Sequence, residues 1–374
     1  MRILFGAVPA GGHALPLLPL AGAARAAGHE VAILSNTETA PLLRPFPVLT
    51  AGPTLEEQMA ETQRRTGLHP SQPGPAAVEM FAGTRVDLTY DEALREATAF
   101  RPELIVCEPF DYVAPTIAAA LDVPWAALGI SGSVPTELTA AMRGRWQQQL
   151  DRYSLRPSER LAYLDPYPAF LRQDGEEPEA DAFPIRPVAF DREDDVFELA
   201  SFQEEDRPRA LVTFGTSVIE PEAEEVTARS LTDAGFNVII AGSHTPAPVE
   251  GHVHRAGFAP LARVLPWADV LVSAGGTGTV LAALATGTPM VVRPFHADQP
   301  WNAERLTRVG VAETISAFED SGPAAAKMMA SSSYRDAATR AALEVSTMTP
   351  ISEAVPMLET AVRRHGERRG SSEF

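Results

Sequence analysis

The feature that most restricts the fold of this chain is a rhythm. Short apolar runs of strand length, "RILFGAV", "EVAILS", "PELIVCEP", "PWAALGI", "ALVTFG", "NVIIAGS", "DVLVSAGG" and "PMVVRP", alternate with segments of helical pattern such as "LLPLAGAARAAG", "TIAAALD" and "VLAALATG". Runs that are apolar throughout, rather than at every second position, belong to strands buried on both faces. Helices between the strands are what cover those faces in a parallel sheet. The expected class is α/β of the doubly wound kind. An acidic, proline-punctuated stretch, "QDGEEPEADAFPIRP" and then "DREDDVFELASFQEEDRP", interrupts the rhythm, which afterwards restarts. The interruption is expected to join two domains. Boundaries are expected at 1–185 for the first domain, 186–207 for the linker, 208–350 for the second domain and 351–374 for a C-terminal helix and tail. A length of 374 residues exceeds one ordinary core and suits two. The polar region 54–75, with "HPSQPGP", reads as a surface loop.

Composition removes several function classes. Asp and Glu total 49 against 31 Lys and Arg, a formal charge of −18, which repels nucleic acid and anionic membrane alike. No apolar run reaches the roughly 18 residues of a membrane span, so no integral membrane association is expected. Cys107 is the single cysteine, which rules out an internal disulfide, and "MRILFGAVPAGGH" has no signal-peptide pattern. The cytoplasm is the expected compartment. The acidity would also repel a polyphosphate ligand at long range, so such a ligand must be held by local dipoles and a few cations.

Doubly wound sheets bind ligands at the carboxyl ends of their strands, and three glycine turns fall there: "AVPAGGHALP", "TFGTS" and "SAGGTGT". A glycine turn that leads from a strand into a helix offers backbone amides to an anion. A P-loop would need lysine between its last glycine and a Ser or Thr, and no such sequence exists, which disfavours ATP or GTP hydrolysis. The dinucleotide fingerprint fails at Leu281, where its last glycine would stand. The histidines show no metal spacing, and "HVH" at His252 to His254 is too short to be a metal motif. No metal site is expected.

The run "GFAPLARVLPWADVLVSAGGTGTVLAALATGTPMVVRPFHADQPWNAERL" resembles the donor-binding region of GT-B glycosyltransferases, the inverting, metal-independent sugar-nucleotide enzymes of bacterial natural-product pathways. "GGHALPLLPLA" resembles the acceptor-domain opening of the same family, and "MFAGTRVDLTYDEAL", "RPELIVCEP" and "YLDPYPAFL" match it in part, so the resemblance runs over nearly the whole chain. These matches are similar to the subgroup that transfers deoxysugars from dTDP donors to polyketides. The resemblance implies two Rossmann-like domains facing each other across a cleft. It implies transfer from a dTDP- or UDP-sugar to a hydroxyl of an apolar aglycone, with an aromatic carbon as a second type of acceptor. No cofactor beyond the nucleotide sugar is implied, and a homodimer is compatible with it. Two other readings stay open: a sugar-nucleotide epimerase of the GT-B fold, and a catalytically weak helper or binding protein.

Within this frame His13, in the glycine turn after the first strand, is the candidate base, since imidazole exchanges protons near neutral pH. "CEPFDY" offers Glu108 or Asp111 as the carboxylate that orients it, and either would alternatively cap the following helix. For the donor diphosphate the resemblance implies Gly215, Thr216 and Ser217 in one turn and Ser273, Gly275, Gly276, Thr277, Gly278 and Thr279 in another, with helix-start amides and the threonine hydroxyls as ligands. Phe258 and Ala259 stand where the family holds the nucleotide base, and Asp298 with Gln299 where it reads sugar hydroxyls. Gly12, Met80, Phe81 and Ser131 are the expected acceptor-pocket residues, with Met80 and Phe81 expected on a loop. Many relatives carry histidine where Ser273 stands, which is what suggests the helper reading; a few deoxysugar-transferring relatives also lack it, so Ser273 reads first as a mark of that subgroup.

Overall fold

The structure, a computed structural model, describes residues 1–71, 73–132, 134–191, 201–215, 221–242 and 246–372, with side chains up to 369. The chain divides into two compact units. Unit 1 comprises Met1–Pro166, Glu177–Ile185 and Thr349–Phe374, and unit 2 comprises Tyr167–Glu176 and Arg186–Met348.

Unit 1 is built on β1 (Arg2–Gly6), β2 (Glu30–Ser35), β3 (Val48–Thr50), β4 (Leu104–Cys107), β5 (Trp125–Leu128), β6 (Arg160–Asp165) and β7 (Ala182–Pro184), in the order β3-β2-β1-β4-β5-β6-β7. Unit 2 follows with β8 (Arg209–Thr213), β9 (Asn237–Ala241), β10 (Val253–Gly257), β11 (Val270–Ser273), β12 (Met290–Val292) and β13 (Ala312–Thr314), ordered β10-β9-β8-β11-β12-β13. All neighbouring strands in both sheets run parallel. Each sheet begins at its centre and reverses direction beside its first strand, so β1 and β4 in unit 1, and β8 and β11 in unit 2, flank the switch point where such sheets take ligands. The central strands are buried end to end, as their unbroken apolar runs require: in β11, successive residues serve the two faces in turn, Leu271 one core and Val270 and Val272 the other.

The division differs from the expected boundaries at two places. Residues Tyr167–Glu176, expected in the first domain, belong to unit 2, because Tyr167 and Leu171 enter its core and Arg305 pairs with Glu176 at 3.0 Å. The helix Ile351–Ser372, expected as a separate tail, belongs to unit 1. Ala354, Val355 and Leu358 are buried there, Glu359 meets His29 at 3.0 Å, and Glu159 accepts from His365 and Arg368. Part of the expected linker, 192–200, lies outside the described residues.

Two expected loops are helical. The helix Leu55–Thr66 lies within 54–75: Thr54 and Glu57 form a reciprocal capping box, and Gly67 ends the helix at φ +71°. Its apolar periodicity is missing because the residues it buries are Gln58 and Thr62. Charge supports it in place of a core, Arg65 bridging Glu61, Glu79 and Asp87. Met80–Thr84 form a π-helical turn that continues into the helix Arg85–Phe100, a local widening that often accompanies functional sites.

Candidate functional site

In unit 1 the carboxyl end of β1 leads through a tight turn into the short helix Gly11–Ala14, which carries His13. The carboxyl end of the adjacent β4 carries Glu108. Gly6, the last residue of β1, leaves room for this neighbourhood: a Cβ there would stand 2.6 Å from Ala114 Cβ and 2.7 Å from Asp111 Oδ2. The structure brings His13 and Glu108 together, with Nδ1 at 3.0 Å from Oε1. Glu108 is wholly buried, yet its carboxylate is satisfied: Oε1 also accepts from the Val8 amide at 3.2 Å, and Oε2 accepts from the Phe110 amide at 2.7 Å. A buried carboxylate held this way accepts the Nδ1 proton and leaves Nε2 with its lone pair. Nε2 has no partner among the described residues. Phe81 and Phe110 flank the imidazole at 5.9 and 5.7 Å between ring centroids, so the ring is held by packing as well as by charge.

Asp111 does other work. Its Oδ1 accepts from Arg85 at 3.2 Å and from the Val113 amide at 3.0 Å, at the start of the helix Val113–Leu121. Burial raises its pKa above the ordinary carboxylate value, Arg85 opposes that shift, and Glu108 adds to it. The imidazole's partner is therefore Glu108, and Asp111 anchors a helix start and an arginine. Arg85 and Phe110 are absent from the expected site residues; Arg85 stands in "MFAGTRVDLTYDEAL", which matches the family in part, and Phe110 directly follows "RPELIVCEP", which does too.

Of the expected acceptor residues, Gly12 is exposed with nothing within 4 Å of where a Cβ would stand, and Ser131 is half-buried. Phe81 faces the imidazole, whereas Met80 is buried and helical, not on a loop. A separate cavity of about 660 Å³ opens in unit 1 beside the C-terminal end of the helix Leu55–Thr66. Pro73, Pro75, Val78, Pro135, Leu138 and Ala141 make its apolar wall, and the Glu79–Arg145 ion pair, at 2.6 Å, lies at its margin. None of the expected acceptor residues lines it.

In unit 2 the turn after β11 enters the helix Thr277–Thr286. Gly275 takes φ +84°, and a Cβ there would stand 2.7 Å from Val292 Cγ1, so this position requires glycine on both counts. Asp298, at the start of the helix Gln299–Arg308, reaches across to this turn. Its Oδ2 accepts from the Thr277 amide at 3.2 Å, the Thr277 hydroxyl at 2.5 Å and Asn302 Nδ2 at 3.1 Å. Thr277 thus spends its amide and hydroxyl on Asp298 and is buried, which differs from the expected direct phosphate ligand. The amides of Gly278 and Thr279 and the Thr279 hydroxyl have no partner among the described residues, and both residues reach solvent. These groups form the positive end of the helix that an anion would meet.

Ser273 is buried, and its Oγ accepts from the Gly275 amide at 3.2 Å, a bond that shapes the turn and leaves the hydroxyl proton as a donor. Gln299 uses Oε1 to accept from the Phe295 and His296 amides at 2.9 and 3.0 Å, which leaves its Nε2 to donate elsewhere. Asp298 Oδ1 has no partner among the described residues, and the residue is half-buried. Gly215 stands at φ +79° after β8, while Thr216 and Ser217 lie outside the described residues. Phe258, just after β10, is 43% exposed. Ala259 is buried in the core, so only its backbone is available to a base. Among the described residues no group of three or more His, Cys, Asp or Glu is arranged to hold a metal ion, and no helix is long and apolar enough to cross a membrane.

Comparison with known proteins agrees with this fold. Residues 76–187 match the N-terminal domain, and residues 230–360 the C-terminal domain, of the erythromycin biosynthesis protein CIII-like family. The L-demethylnoviosyl transferase of Streptomyces niveus is 28% identical over 83% of this chain and 84% of that protein. The tylactone mycaminosyltransferase of Streptomyces fradiae is 26% identical over 100% of this chain and 95% of its own. Among solved structures, the glycosyltransferase SsfS6 of Streptomyces sp. SF2575, in complex with thymidine diphosphate, superposes with a TM-score of 0.82 at 29% identity, covering 96% of this chain and 99% of that one. With two parallel Rossmann-like sheets, a buried Glu108 behind His13 and a glycine turn ahead of Asp298 and Gln299, this chain belongs to the erythromycin biosynthesis protein CIII-like family of GT-B glycosyltransferases, enzymes of antibiotic and related natural-product pathways.

Proposed function

We propose that the protein transfers a deoxysugar, with inversion and without a metal ion, from a dTDP- or UDP-sugar to a hydroxyl of an apolar secondary-metabolite aglycone. The observation that carries this reading is the His13–Glu108 pair. Glu108 fixes the Nδ1–H tautomer, and Nε2 removes the acceptor's hydroxyl proton as that oxygen bonds to the anomeric carbon. The bond from the anomeric carbon to the diphosphate oxygen breaks, and the nucleoside diphosphate leaves with the electron pair. The amides of Gly278 and Thr279 and the hydroxyl of Thr279 meet the growing negative charge. Asp298 Oδ1 accepts from a sugar hydroxyl and Gln299 Nε2 donates to one, while the exposed ring of Phe258 stacks on the base. The thymidine nucleotide is supported by the related SsfS6, solved with thymidine diphosphate.

The open, largely apolar depression of unit 1 is a surface on which part of a hydrophobic acceptor could rest. This reading includes no cofactor beyond the nucleotide sugar, a cytoplasmic location and a homodimer. The test is to incubate the protein with dTDP- and UDP-sugars, with and without a panel of polyketide aglycones, and to follow nucleoside diphosphate release and glycoside formation. Release that requires the aglycone supports the reading. Alteration of the donor alone would instead identify an epimerase, and an inert protein a helper.

A further inference from the structure

Asp298 is offered above as a reader of the donor sugar, and what holds Asp298 lies deeper in unit 2. Asn302, one turn along the same helix, is buried. Its Nδ2 faces three acceptors at once: Gly275 O at 2.9 Å, Thr277 Oγ1 at 3.0 Å and Asp298 Oδ2 at 3.1 Å. Two of these, the carbonyl and the carboxylate oxygen, can only accept, so they fix the sense of the carboxamide and turn its Oδ1 the other way. At that end the hydroxyl of Tyr167, itself buried, donates to Asn302 Oδ1 at 3.4 Å. Burial pushes the Tyr167 phenol up to about 12, so it stays protonated and remains a donor across the working pH range.

Tyr167 comes from a segment fastened along the Gln299–Arg308 helix. Arg305 holds Glu176 at 3.0 and 3.1 Å, and Arg308 donates to the carbonyls of Leu171 and Arg172 at 3.0 and 2.8 Å. The same helix therefore carries Asp298 and Gln299 at one end and the clamp for this segment further along. We propose that Tyr167 and Asn302 are positioning residues for donor-sugar recognition: they hold the Asp298 carboxylate with Oδ2 committed to Thr277 and Oδ1 presented to the sugar. Neither touches the donor. Without them the carboxylate is held by Thr277 alone and loses its fixed angle to the sugar, while the amides of Gly278 and Thr279 stay available to the diphosphate.

The inference rests on the proposed reading of Asp298, and the experiment separates the two. Titration calorimetry with dTDP and with dTDP-glucose gives, for each variant, the affinity contributed by the diphosphate and the extra affinity contributed by the sugar. Tyr167→Phe keeps the ring and removes only the hydroxyl. It is expected to leave dTDP affinity within about twofold and to weaken dTDP-glucose by about three- to tenfold, the range of one lost neutral hydrogen bond, with donor KM rising and acceptor KM unmoved. A merely structural role would change both nucleotide affinities together. Placed in an Asp298→Asn background, Tyr167→Phe is expected to have no further effect on the sugar's share. The proposal is overturned if Tyr167→Phe leaves the ratio of the two affinities at its wild-type value, or if its effect adds in full to that of Asp298→Asn. If wild-type protein binds both nucleotides equally, or binds neither, the reading of Asp298 fails first and this inference goes with it.

Discussion

Glu108 and Asp298 are two carboxylates at the carboxyl edges of two parallel sheets, and they are used differently. Glu108 is wholly buried and has both oxygens occupied, by two backbone amides and the His13 imidazole. Asp298 is half-buried and concentrates its protein contacts on one oxygen. A carboxylate with no oxygen to spare can act on a substrate only through the group it orients. One with an oxygen free can meet the substrate itself. On the proposed mechanism the first serves proton transfer and the second recognition, and substitutions at the two sites should therefore fail in different ways.

The largest expected effect is at the imidazole that Glu108 serves. His13→Ala should lower kcat by roughly 10³- to 10⁴-fold, the upper part of what a positioned base contributes, with dTDP affinity unchanged by calorimetry. Unchanged turnover would break the comparison outright. Glu108→Gln should come next. Its amide group has one oxygen for positions that now accept from Val8, Phe110 and His13. With NH₂ toward the imidazole it forces the proton onto Nε2, the wrong nitrogen; with NH₂ toward Phe110 it leaves that amide unpaired. The expected loss in kcat is about 10²- to 10³-fold, below the roughly 10⁴-fold of a fully enforced wrong tautomer, because only one of the two amide orientations enforces it. Thermal unfolding should report a stability loss of about 1 to 3 kcal/mol from the unpaired buried group.

Asp298→Asn tests the other side. Its signature should be a donor KM raised by about tenfold and a smaller fall in kcat, since a charged acceptor is replaced by a neutral one. Binding of dTDP should hold or tighten slightly, because a negative charge is removed near the helix start that receives the diphosphate. A variant that lost kcat to the degree of Glu108→Gln, with donor KM unmoved, would show that both carboxylates serve the same step.

Both sheets were legible because burial on two faces leaves an unbroken apolar run, which the sequence carries openly in "VLVS" and "LIVC". The helix Leu55–Thr66 was hidden because its buried face is made of Gln58 and Thr62, though its Thr54–Glu57 capping box was there to be read. The His13–Glu108 pairing could not be derived from spacing alone. It depends on β1 and β4 being neighbours, a property of strand order that no local pattern reports. Asp298 and Gln299 were marked by the family's motif, but the motif did not show that Asp298 would take Thr277 for itself. Nor did it reveal Tyr167, whose role comes from a segment joined to unit 2 by burial and by paired arginines.

Ser273 offers the smallest expected effect and sharpens the comparison from its weak end. Where a histidine would place a potential cation beside the diphosphate, this chain has a buried hydroxyl that accepts from the Gly275 amide. If that bond serves the turn alone, Ser273→Ala leaves the buried Gly275 amide without its acceptor and should cost about 1 to 3 kcal/mol of stability. Donor affinity should then move by no more than about threefold, because Gly275 is also held by its left-handed backbone and by the Asn302 bond to its carbonyl. A loss of dTDP affinity of tenfold or more, with little change in melting temperature, would make Ser273 a ligand of the diphosphate. The helix amides would then share that duty with a side chain, and the division between carboxylate-built recognition and amide-built anion binding in unit 2 would have to be redrawn.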